Sequence, residues 1–273
     1  MRYVHSEECP DIGPICEVRN EPPQQHDQRF TIADARLTGA YGITDRVAIE
    51  AELPGRYMRQ SVKYLRMDGT EFTPDYPTIH HRNETLIGPT DPIVRALISW
   101  APGALVIAVR AGVTIPAGST VPDPDELGGQ GIAHEHVQFG TGTFDPAVGV
   151  SLSGTAGTVA LRAFFSTQTA LYENRYGYRA GTRTTAGFSA ATFIWRELGG
   201  SLGAELATEA PERWHGHVHS EGNIGRTDWL GDLSLGHPIG PVQVTAGVQI
   251  PFYHTAVGAQ LEYPAVLRLS FTY

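Results

Sequence analysis

The chain has 273 residues, a formal net charge of -9 from 29 acidic and 20 basic side chains, 41% apolar residues and no basic run. That balance excludes an electrostatic footprint for nucleic acid, and the ordinary apolar and charged fractions exclude a disordered chain. No uninterrupted apolar stretch of about 18 residues is present, so a membrane location would have to come from closed strands.

In chain order, Met1 to Ser6 reads like the outer half of a strand whose beginning is missing. No basic stretch followed by an apolar one marks a secretory leader, and the expectation is a single domain over 1–273 with residues 1–6 the remnant of a truncated first strand. Cys9 and Cys16 follow in a Pro-, Glu- and Gln-rich segment. They are a candidate disulfide if the protein is exported, the alternative being two free thiols, and they are too few for a closed thiolate metal site.

From there alternation dominates. Ala33, Ala35 and Leu37 share one face; Val47, Ile49, Ala51 and Leu53 oppose Glu50 and Glu52. The same period places Val94, Ala96 and Ile98, then Leu105 to Ile115, Val148 to Leu152, Leu202 to Leu206, Leu233 and Leu235, and Val242 to Ile250 on apolar faces. Tight turns are read at 43–45, 101–103, 154–157, 198–200 and 238–240, and long polar segments at 7–28, 66–83, 119–133 and 213–223. A soluble sandwich also alternates, but short turns on one rim and long loops on the other match an outer-membrane barrel, with lipid on the apolar face and a polar lumen on the other. Eleven strands and the stub predict an all-β antiparallel transmembrane barrel of about twelve strands. Tyr41, Trp100, Trp195, Trp229, Tyr253, Tyr263 and Tyr273 fall near strand ends, where aromatic girdles form.

The last strand, Ala265 to Tyr273, alternates to a terminal tyrosine. It is similar to the assembly signal of bacterial outer-membrane proteins, which implies a bacterial outer-membrane location, contact with its lipids and insertion by the barrel assembly machinery. The segments Tyr41-Gly42-Ile43-Thr44-Asp45-Arg46-Val47, Gly88-Pro89-Thr90-Asp91-Pro92 and Gly140-Thr141-Gly142-Thr143-Phe144-Asp145-Pro146 resemble those of the outer-membrane transporter family associated with meta-pathway phenol degradation, distantly related to fatty-acid channels. The resemblance implies passive uptake of small solutes, hydrophobic or aromatic compounds among them. The chain departs from fatty-acid channels in its shorter length and in the lack of a visible N-terminal plug.

Gly88-x-x-Asp91, Gly142-x-x-Asp145 and Gly225-x-x-Asp228 form a partial repeat, and Asp34 has a similar position. By alternation all four aspartates point inward, where a ring of carboxylates would favour cations. Arg36, Arg95, Arg110, Arg162 and Arg268 point inward too, with Glu50, Glu52, Glu205 and Asp232, so a structural network of ion pairs is the competing reading. His80-His81, His134-Glu135-His136 and the run His215, His217, His219 lie near the long-loop rim; in an extended segment the last three share a face and could take Zn²⁺ or Cu²⁺, against the reading of unliganded loop histidines.

No Gly-x-Ser-x-Gly elbow occurs, and Ser151 and Ser153 lie far along the chain from the histidines. The expectation is therefore a channel with no cofactor, small solutes as its passengers and no nucleic-acid partner. A plugged barrel that displays its loops is the alternative, with a barrel-embedded enzyme behind it.

Overall fold

The computed structural model describes residues 2–7, 23–75, 78–79, 81–218, 222–256 and 263–273. Its strands are β1 (Arg2–Glu7), β2 (Gln24–Gly42), β3 (Val47–Arg66), β4 (Glu71–Phe72), β5 (Glu84–Pro89), β6 (Ile93–Trp100), β7 (Leu105–Thr114), β8 (Pro146–Ala156), β9 (Val159–Gln168), β10 (Tyr178–Arg179), β11 (Arg183–Trp195), β12 (Leu198–Glu209), β13 (Arg213–Trp214), β14 (Arg226–Ile239), β15 (Val242–Ala256) and β16 (Val266–Thr272); among the described residues a short helix, α1 (Pro124–Gly129), lies between β7 and β8. Twelve of them form a single path, β1-β2-β3-β6-β7-β8-β9-β11-β12-β14-β15-β16, each antiparallel to the next. The strand count read from alternation thus holds.

The connections along this path alternate in length as expected, with short ones at 43–46, 101–104, 157–158, 196–197 and 240–241 all on one rim. Three lie a few residues from where the sequence placed them. Gly157 and Gly240 open their two-residue turns at φ 61, and Arg196 does so at φ 48. A positive φ matches the turn to the twist of the flanking strands, so the chain reverses there and the strands run on through Gly154 and begin at Leu198.

The apolar period faces outward. Val94, Ile98, Val148, Val150, Leu152, Leu233 and Leu235 are exposed, whereas buried positions include His26, Asp27, Gln28, Thr143, Asp145, Asp228 and Gln249. A water-soluble fold would reverse this distribution, because each exposed branched side chain forgoes about 1.5–3 kcal/mol of burial. Tyr41, Trp100, Trp195 and Tyr273 are exposed beside the short-turn rim, and Trp229 and Tyr253 pair near the opposite end. Tyr263 is half-buried instead, under the Arg226 guanidinium 4.7 Å from its ring centre.

The wall is uneven in height. β2 and β3 have 19 and 20 residues, β6 only 8. At about 3.3 Å per residue, β2 and β3 stand well above the roughly 10 residues a membrane needs. β5 and β6 pair with successive stretches of β3, Gly55–Gln60 and Val47–Glu52, and are in effect one neighbour broken at Thr90-Asp91-Pro92. Pro89 and Pro92 cannot donate to a ladder, which explains the break.

β1 pairs only with Gln24–Arg29, and β16 pairs only with β15. Among the described residues no ladder joins β16 to β1 or β2. Cys9 and Cys16, and the disulfide expected of them, lie outside the described residues.

Candidate functional site: the charged lumen face

The inward positions of β2, β3 and β6 to β11 line a cavity of about 650 Å³. Its character follows from the register. Asp34 and Arg56 are cross-strand partners, and the Arg56 guanidinium donates from Nε and Nη2 to the two Asp34 carboxylate oxygens at 2.7 and 2.9 Å. Glu50 accepts from Arg110 at 2.9 and 3.3 Å, and Arg110 also reaches Ser151 Oγ at 3.3 Å. Arg95 lies 3.9 Å from Glu52, and Arg183 donates to Glu209 at 2.7 Å. β7 can approach Arg95 only because residue 112 is glycine: a Cβ there would lie 2.1 Å from the Val94 carbonyl oxygen and 2.7 Å from the Arg95 Cα.

The remaining wall has its own set. Arg268 reaches Asp232 at 3.4 Å and Glu205 at 3.9 Å, and Gln249 donates to Glu205 at 3.3 Å. Asp228 is buried and held by Arg226 through both carboxylate oxygens.

The four aspartates therefore do not form a ring of free carboxylates, one of the two arrangements the sequence left open. Asp34 and Asp228 are neutralised by bidentate arginines. Asp91 sits in the break before β6, where its carboxylate accepts the backbone N–H groups of Ala117 (3.0 Å), Gly118 (2.8 Å) and Thr141 (2.7 Å). Asp145 is 1% exposed and accepts from Thr143 Oγ1 at 2.5 Å, while its own N–H donates to Thr114 Oγ1. Asp91 and Asp145 fasten the 115–145 loop to the rim. Their strand-entry position was legible in the sequence; that the Asp91 oxygens turn to backbone N–H groups and an Asp145 oxygen to the Thr143 hydroxyl is a matter of loop geometry that alternation does not reach. Arg110 and Arg95 take up the inward places expected of them, as does Arg162, whose guanidinium carbon lies 5.6 Å over the Phe164 ring.

The histidine run behaves differently from the extended segment expected. Trp214 and His217 close a tight turn through their backbones, with His215 at φ 49, so His215 and His217 do not share a strand face; His219 lies outside the described residues. His215 instead lies against the bare backbone of Gly177, and its Nε2 is 3.8 Å from Asp123 and 3.7 Å from Glu126. His26 and His81 meet through their Nδ1 atoms at 3.0 Å in a buried site.

Above the rim, β10 and β13 form a small separate sheet around Tyr178 and Trp214, with ring centres 4.9 Å apart, packed with Ala170 and Ala180. Glu212 is buried beside them, within reach of the Tyr178 hydroxyl and the Trp214 indole N–H. Burial pushes its carboxyl up to about 7 despite those donors. Burial likewise raises the Tyr178 hydroxyl, and the neighbouring Glu212 adds to the rise.

No family model matches this sequence, and no curated protein matches it. Among solved structures, the chain is similar to the crystal structure of the COG4313 outer membrane channel from Pseudomonas putida F1, with a TM-score of 0.60, 11% identity, and coverage of 99% of this chain and 91% of that one. That likeness shows the fold, an all-antiparallel strand wall like that of an outer-membrane β-barrel. The inside-out distribution of apolar side chains, observed independently of that likeness, has the same meaning.

Proposed function

We propose that this protein is a bacterial outer-membrane channel for passive entry of small solutes, with the short turns facing the periplasm and the long loops facing outward. The observation that carries the reading is the cavity among inward-facing charged and hydroxyl side chains, enclosed by strands whose other face is apolar. Outer-membrane lipids would contact that apolar face. The alternating last strand ending at Tyr273 would serve the barrel assembly machinery.

Closure follows the same logic. In hydrocarbon every backbone polar group needs a partner, yet the outer edge of β2 beyond Arg29 and the outer edge of β16 have no ladder among the described residues. Both run toward the short-turn rim. The two edges thus run parallel to each other, and a strand antiparallel to both would satisfy them.

A second reading, a plugged barrel that displays its loops, draws on the ion pairs that cross the lumen face at Asp34–Arg56 and Glu50–Arg110. Conductance of the folded protein in a planar bilayer separates the two. Discrete current steps support the channel; an inserted barrel that carries no current supports the plugged form.

A further inference from the structure

Among the described residues, six arginines line the lumen cavity: Arg36, Arg56, Arg95, Arg110, Arg162 and Arg183. Four have a carboxylate within 4.0 Å, namely Arg56 on Asp34, Arg95 on Glu52, Arg110 on Glu50 and Arg183 on Glu209. Arg36 and Arg162 have no ion pair among the described residues. The acid nearest to Arg36 along its own strand face is Asp34, whose two oxygens Arg56 already occupies. The remaining acid on the cavity wall, Asp91, has its charge met by backbone N–H groups. The cavity is left with two guanidiniums whose donors are not taken by carboxylates.

Their placement matters as much as their number. Arg36 is on β2 and Arg162 on β9, with β3, β6, β7 and β8 between them on the strand path, so the two reach one cavity from well-separated walls. Ser166 and Thr185, joined at 2.7 Å, and Thr38 add hydroxyls to the same lining. A guanidinium presents its N–H groups as a flat fork that fits two oxygens of one anion. Cations would meet the opposite situation, because the carboxylates of this wall are already engaged.

We infer that the cavity selects small oxyanions, carboxylates or phosphate, through Arg36 and Arg162. This rests on the channel reading for its transport meaning, though not for its binding chemistry. It reverses the cation preference that a ring of free aspartates would have given.

The test has two arms on the folded full chain. In detergent, calorimetric titration with inorganic phosphate and with sodium acetate measures binding directly and tells the two anions apart. The Arg36→Gln and Arg162→Gln variants should each weaken it about tenfold or more. Arg36→Lys and Arg162→Lys, which keep the charge and lose the fork, should fall between, and Lys63→Gln, at the paired Lys63–Glu71 position on β3, should change nothing. In a bilayer under a KCl gradient, the reversal potential should show chloride preference that moves toward potassium in the double Gln variant. No binding of either anion, or binding and reversal potential unchanged in the double variant, overturns the inference. A barrel that binds phosphate through these arginines but passes no current overturns the channel reading alone.

Discussion

The strand wall and the loop rim of this molecule are built on different rules. Along β8, Val148, Val150 and Leu152 are exposed while Gly149, Ser151 and Ser153 face inward, and the same two-residue period recurs around the sheet. At the rim, position is decided one side chain at a time: a single carboxylate, Asp91, holds three backbone N–H groups from two stretches of one loop. The wall tolerates exchange of one apolar residue for another because only the period matters. The rim tolerates little, because each polar contact is individual.

The sharpest way to break the wall is to put a charge on its lipid face near mid-strand. Val150→Arg should cost about 2–4 kcal/mol of barrel stability. Urea unfolding in lipid vesicles would show this, whereas Val150→Leu should fold like the parent. A rim substitution should leave the wall intact and loosen one loop. Asp91→Ala removes a charged acceptor and should cost about 2 kcal/mol locally. The expected sign is faster hydrogen exchange at Ala117, Gly118 and Thr141 with little change in β6 and β7.

The smallest effect should come from Glu212. Its folded carboxyl titrates near 7, above the usual 4.5, so the folded state disfavours its ionised form. The packing of the small β10–β13 sheet is tightest below about pH 4.5, weakens as pH climbs toward 7, and changes little beyond. Glu212→Gln should abolish that dependence and steady the loops by about 1–2 kcal/mol at pH 8. Tryptophan fluorescence of Trp214 against pH, in parent and variant, reads it directly.

The same division governs what the sequence makes legible. Strand number, short-turn rim and inward charges follow from a period of two, which needs no tertiary knowledge. Arg95, Arg110 and Arg162 are found along the cavity wall for that reason. The fates of Asp91 and Asp145 were not legible, since a carboxylate at a strand entry reads alike whether it faces water or a neighbouring loop. Arg56 escaped notice because Pro54 and Gly55 interrupt the pattern just before it. The tight turn at Trp214–His217 depends on positive φ at His215 and Gly216; histidine adopts that conformation more often than most side chains, but too seldom to mark the turn from sequence.

The central claim is that one face of each strand meets lipid and the other an accessible aqueous lumen. Cysteines introduced singly at Val148, Gly149, Val150, Ser151, Leu152 and Ser153, after the native cysteines are replaced, can be probed with a charged, membrane-impermeant thiol reagent on the protein in lipid vesicles. The account predicts reaction at 149, 151 and 153 and protection at 148, 150 and 152. Uniform protection would contradict an open lumen, and uniform reaction would contradict a lipid-facing wall.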